Sequence, residues 1–195
     1  MPDTVFFSVD VEASGPVPGL YNLVSIGAVP VAEAGGAWKP ADDRFYVELK
    51  PIGGRFDKEA MAVHGIPRDR LEAAGIPADE AMRRLTGFVE ESVRRATARA
   101  VFVGHNVGFD WSYISYYYAL FGRPNPFGYK SLDIKSLAMG RLGIGWFDTG
   151  KENLEILLPS VPRLDTALVH RADYDALYQA HLLCALLNMD PVTRR

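Results

Sequence analysis

Phe6-Phe7-Ser8-Val9-Asp10-Val11-Glu12 decides how this chain is read. An apolar run, Val5 to Val9, leads directly into two carboxylates spaced i, i+2. Side chains alternate faces along a strand, so Asp10 and Glu12 project from one face with Cα atoms roughly 6.6 Å apart. Two acids at the end of a buried strand repel each other and resist desolvation. A divalent cation between them relieves both costs, and magnesium and manganese take such oxygen ligands. As a purely structural feature the pair is two acids in a turn ahead of Gly15-Pro16. The choice rests on whether further acids arrive at strand ends and helix starts elsewhere.

The chain has 195 residues with 48% hydrophobic content, enough for one domain with a substantial core. We read residues 1–195 as a single domain, since no linker, low-complexity run or internal repeat divides them. The first residues enter a strand pattern without the layout of a secretory leader. No apolar run approaches the roughly 20 residues of a membrane span. One cysteine, Cys184, excludes an internal disulfide, which makes a cytoplasmic setting the default. The formal charge is −3, from 21 basic and 24 acidic residues. A broad basic surface for long nucleic acid is therefore absent from the composition. Setting four acids aside for a metal site leaves a nearly neutral remainder, which suits short or locally gripped polyanions.

Strand patterns recur at Leu23–Val29 and at Phe45–Leu49, with a turn expected at Gly35-Gly36 between them. Three strands with short connections predict an antiparallel meander. Residues 55–70 read as irregular or short-helical. The clearest helix spans Ala78–Ala98, with Asp79 and Glu80 in its first turn and Met82, Leu85, Val89 and Val93 as its apolar stripe. Its arginines are interleaved with acids and read as a solvated face. Val101-Phe102-Val103 is a short buried strand, and a helix follows from Trp111 to Phe121. The tyrosines of that helix point several ways and read mostly as core. Residues 130–137 form a strand-to-helix junction capped by Asp133. Residues 141–153 read as an ordinary connection. The last helix opens after His170 and runs to about Asn188.

Three segments stand out on this framework. Asp10 and Glu12 end the first strand. Asp110 closes Gly104-His105-Asn106-Val107-Gly108-Phe109-Asp110 at a helix start, where its structural role is an N-cap. His170-Arg171-Ala172-Asp173-Tyr174-Asp175 opens the last helix. Five helical steps turn about 500°, so His170 and Asp175 cannot share a helical face. They converge if His170 lies in the loop and Asp175 on the first turns.

In this order and spacing the chain resembles the DEDDh group of 3′–5′ exonucleases, within the ribonuclease H-like superfamily. That group includes proofreading exonuclease subunits, ribonuclease T and oligoribonuclease. Asp10-Val11-Glu12-Ala13-Ser14-Gly15 is similar to its first motif, residues 104–110 to its second, and His170-x-Ala172-x-x-Asp175 to its third. The histidine separates this branch from one that uses tyrosine. Ala13 departs from the pattern, since many relatives carry Thr there.

The resemblance implies an α/β fold, ribonuclease H-like, with a mixed five-stranded sheet (antiparallel meander plus parallel strands) flanked by helices. It implies two divalent cations, Mg²⁺ or Mn²⁺, held by Asp10, Glu12, Asp110 and Asp175. It makes His170 the general base, consistent with an imidazole pKa of about 6.5. Ala13, through its backbone, and His64, Asn106 and Phe109 become substrate contacts. The implied partner is single-stranded nucleic acid with a free 3′ end, with a polymerase or a second copy of the chain as further candidates and no membrane. Two other classes fit parts of this pattern. One is a non-catalytic nucleic-acid-binding or polymerase-associated module, and the other is a phosphodiesterase for short oligonucleotides or dinucleotides.

Overall fold

The structure is a computed structural model and describes residues 3–190. Its strands are β1 (Asp3–Ala13), β2 (Leu23–Ala34), β3 (Ala37–Pro40), β4 (Phe45–Glu48), β5 (Ala98–Gly104) and β6 (Ser131–Asp133). Its helices are α1 (Lys58–His64), α2 (Arg68–Ala74), α3 (Ala78–Ala96), α4 (Gly108–Leu120), α5 (Ile134–Leu142), α6 (Lys151–Leu157) and α7 (Ala172–Leu187). None of these helices is long and apolar enough to cross a membrane.

The sheet runs β3-β2-β1-β5-β6, and β4 also pairs with β2. β2 is antiparallel to β1, β3 and β4, whereas β1–β5 and β5–β6 are parallel. The mixed sheet of the expected fold is therefore present, with one refinement. β3 pairs with residues 31–34 of β2 and β4 with residues 25–28, so two strands share one edge position. Gly35 and Gly36, at φ 64° and 80°, turn the chain into β3 rather than directly into the Phe45 strand. Two consecutive positive φ values are the requirement of a tight hairpin turn, which glycine meets without strain. β3 escapes sequence reading because Ala-Trp-Lys-Pro is too short to alternate. Residues 141–153, read as a plain connection, hold a 3₁₀ turn at Trp146–Asp148 and the start of α6.

β1 is buried on both faces, and its period of two divides the labour. Val5, Phe7, Val9 and Val11 enter a core with Met82 and Leu85 of α3 and with Tyr113, Tyr117 and Tyr118 of α4. The alternate residues Phe6, Ser8, Asp10 and Glu12 face the other layer, where Leu182 and Leu183 of α7 pack with Val29, Val103 and Ile134. Both acids of β1 thus look toward α7. The α4 tyrosines serve as core, as expected, and also tether the loop after β1. Tyr113 donates its hydroxyl to the Gly15 carbonyl at 2.7 Å, and Leu23 N–H donates to the Tyr117 hydroxyl at 2.8 Å.

One glycine sets how closely α7 can approach. Gly27 is the β2 partner of Asp10. A Cβ added there would lie 2.0 Å from the Ala172 carbonyl oxygen at the start of α7. The contact is with backbone, so no rotamer change relieves it. Gly27→Ala is expected to lower stability by about 1–3 kcal/mol, the usual penalty of overpacking. Activity should fall further than stability alone requires, because the start of α7 must move away from Asp10. Urea unfolding beside turnover at a fixed folded fraction measures both.

Candidate active site

The carboxyl ends of β1 and β5 and the start of α7 meet at one cleft of about 170 Å³. Crevices outside strand carboxyl ends are the usual ligand positions in α/β sheets. Asp10, Glu12, Asp110, His170 and Asp175 all line it, as do Asn106 and Phe109. Ala13 and His64 do not. Ala13 is buried just beyond a register shift between Glu12 and Ala13. His64 ends α1 with its Nδ1 accepting from Ile66 N–H at 3.0 Å, and its Nε2 is buried without a partner.

Asp110 and Asp175 are each held by a specific backbone contact. Asp110 lies in the first turn of α4 and is not its cap, since the N-cap position is Val107. Its Oδ1 instead accepts from Val11 N–H at 2.9 Å, which ties α4 to β1 between the two acids of the strand. Asp175 is the fourth residue of α7, and His170 stands in the preceding loop. His170 has φ 67°, and its backbone N–H donates to Asp175 Oδ2 at 2.6 Å. That left-handed conformation folds the loop back so that ligand atoms of Glu12, His170 and Asp175 lie within 4.8 Å of one another.

Four residues bear on the site without having been singled out for it. Gln179, fully buried one turn after Asp175, donates from Nε2 to Asp10 Oδ1 at 2.6 Å and accepts from His105 N–H at 3.0 Å. Its signal in the sequence was the i, i+4 step from Asp175, which shares a helix face. Asp133 caps α5 as expected, accepting from Ser136 N–H at 2.9 Å. Its other oxygen accepts from Asn106 N–H and Val107 N–H at 3.0 and 3.2 Å, which fixes the turn carrying Asn106. Lys151, from the first turn of α6, reaches into the cleft and pairs with Asp175. No spacing in the sequence indicates it. Burial lowers the pKa of His105, and its Nε2 sits 2.8 Å from the Thr149 carbonyl.

Crowding shows in the acids' proton affinities. Burial, then Asp110, Asp175 and Glu12, push Asp10 well above the usual carboxylate range. Burial, followed by Asp175 and Asp110, raises Glu12 to about 8. Burial also raises Asp110 to about 7, although the bond from Val11 opposes it. Lys151 works against all three shifts. Hard carboxylate oxygens gathered this closely are a donor set for a divalent metal, whose binding displaces their protons.

The mixed sheet thus brings four acids and a histidine together at its carboxyl edge. Similarity to known proteins places the chain among nucleases. A 3′–5′ DNA exonuclease of Escherichia coli, Cap18, is 38% identical over 178 residues, covering 91% of this chain and 89% of the relative. Ribonuclease T of Yersinia pseudotuberculosis is 28% identical over 187 residues, covering 92% and 83%. Among solved structures, the nuclease domain of 3′hExo, a DEDDh family member bound to rAMP, superposes with a TM-score of 0.72 at 12% identity over 95% of this chain and 92% of that one. Exonuclease I gives 0.72 at 16% identity over 98% of this chain and 42% of the other. No protein-family model matches the chain. The chain belongs to the DEDDh-type 3′–5′ exonucleases, and it is an enzyme acting on nucleic acid.

The raised carboxylates make stability pH-dependent in a known direction. Between the ordinary Glu value of 4.5 and about 8, the folded state holds a proton on Glu12 that the unfolded chain has released. The folded state binds more protons, so stability falls as pH rises. The penalty is absent below that window and complete above it. In EDTA, the urea midpoint should be lower at about pH 9 than at about pH 6, and added Mg²⁺ should remove most of the difference.

Proposed function

We propose that Asp10, Glu12, Asp110, Asp175 and His170 form the catalytic centre, hydrolysing phosphodiester bonds from a free 3′ end and releasing nucleoside monophosphates. The observation that carries this reading is the convergence of these five groups at one cleft from β1, α4, α7 and the loop before α7. The donor set fits two divalent cations, Mg²⁺ or Mn²⁺, held by the four acids. When bound, such ions relieve charge on the phosphate and lower the pKa of the attacking water.

The chain's own groups do the rest. His170 takes the proton from the attacking water, whose oxygen forms the new bond to phosphorus. The P–O3′ bond breaks, the leaving oxygen takes a proton from solvent, and the products are a nucleoside 5′-monophosphate and a strand with a fresh 3′-hydroxyl. The backbone bond from His170 to Asp175 holds the imidazole at the cleft mouth. Gln179 keeps the Asp10 carboxylate oriented, a positioning role. Phe109, 36% exposed and 5.3 Å from the Tyr113 ring centroid, offers a fixed aromatic face to the terminal base. Asn106 contacts the same nucleotide, and Ala13, through its backbone alone, and His64 are further substrate contacts. All five catalytic groups come from one chain, so the reading requires neither a polymerase subunit nor a second copy. Residues 1–195 act as one catalytic domain, and a cytoplasmic setting follows from the single cysteine.

Single-stranded DNA is the preferred substrate, because the relative at 38% identity is named a DNA exonuclease. The test uses 5′-labelled DNA, RNA and dinucleotides with open or phosphate-blocked 3′ ends. Stepwise shortening of open DNA that stops on blocking is expected, and comparable cleavage of circular strands would make the enzyme an endonuclease. Asp10→Asn should abolish turnover in a folded protein. His170→Ala should lower turnover by about 10²–10⁴-fold. Mn²⁺ affinity should change far less in that variant, as calorimetry will report.

A further inference from the structure

Lys151 is the one cationic side chain, among the described residues, that is paired with any of the four acids. Its side chain is 23% exposed and that of Asp175 is 3% exposed, so the pair lies inside the cleft rather than on the surface. The other ion pairs of the described residues, such as Arg83–Glu80 and Arg95–Asp43, are far more exposed. Lys151 also has an alternative partner on its own helix that it does not use. Glu155, four residues on, accepts from Leu164 N–H at 2.9 Å and from the Tyr178 hydroxyl at 3.3 Å. The ammonium is thus committed to the acid cluster.

The pairing consumes a specific atom. Asp175 Oδ2 already accepts from His170 N–H, and Oδ1 holds the Lys151 ammonium. Both oxygens of this acid are therefore engaged by the chain itself. A divalent cation approaching Asp175 meets a like charge at the oxygen it needs. Lysine suits such an exchange, since its charge is a point on a flexible four-carbon stem and can withdraw without moving the backbone.

We propose that Lys151 is the resident counter-cation of the acid cluster, occupying Asp175 until a divalent cation displaces it. The proposal rests on the reading of the four acids as metal ligands. It gives the acid cluster a counter-charge as the chain folds, and it sets metal affinity below what the acids alone would give. A merely structural lysine would act oppositely, since its loss would loosen Asp175 and weaken metal binding.

The sign of the change therefore decides. Calorimetric titration of EDTA-stripped protein with Mn²⁺ is carried out on the unaltered chain, on Lys151→Met and on Lys151→Arg. Lys151→Met should bind Mn²⁺ about tenfold more tightly, within the usual range for two coupled sites. Lys151→Arg keeps the charge and should stay close to the unaltered chain. Unchanged or weaker binding in Lys151→Met, with the unaltered chain still binding Mn²⁺, overturns the counter-cation role and leaves the metal site standing. No binding by the unaltered chain overturns both.

Discussion

Four carboxylates share one small cleft, and their mutual repulsion is the constraint around which the surrounding structure is arranged. Burial and neighbouring charge raise Asp10, Glu12 and Asp110 together. Left alone, such a cluster would swell or draw in water. The fold instead answers Asp10, Asp110 and Asp175 with directed donors. Val11 N–H meets Asp110, Gln179 meets Asp10, and His170 N–H with Lys151 meets Asp175. Hydrogen bonds to the charged form favour it, so these contacts partly offset desolvation. They also leave other carboxylate oxygens facing the cleft, which is what an ion-binding nuclease needs.

The donors are only as good as the frame that holds them. β1 is buried on both faces, so its register cannot slip without turning Asp10 and Glu12 into the α3–α4 core. α7 is held against β2 by the close backbone approach at Gly27, which brings Asp175 and Gln179 over the strand end. On the other side, Asp133 ties the turn at Asn106 and Val107 to β6 and α5. The cleft is therefore built by two layers and the sheet between them, with each of the four acids on an element anchored by buried apolar residues. Rigid support of this kind is what keeps several charged groups in one geometry.

This arrangement also explains why the family's fold persists at low identity. The neighbours at 12–16% identity share the sheet and helices over nearly the whole chain. In this chain the frame that positions the cleft is a strand end, a helix start and a second helix start. Many apolar residues satisfy that frame, because cores tolerate substitution when volume and patterning are kept.

Local chemistry made much of this protein legible from sequence. The i, i+2 spacing of Asp10 and Glu12 on an apolar strand put both on one face, and β1 bears that out. The amphipathic stripe of α3 and the cap at Asp133 follow from periodicity and side-chain type, which act over a few residues. The expected convergence of His170 and Asp175 needed only a loop and a first helical turn. Other features had no local signature. β3 exists because β2 extends past the point where β4 pairs. Asp110 grips Val11 rather than capping its own helix, across 99 residues. Gln179 meets Asp10 and Lys151 meets Asp175 because helix packing carries them there, not because of their neighbours in the chain. Sequence spacing determines which face a side chain takes, whereas its partner across the core is decided only when the layers close.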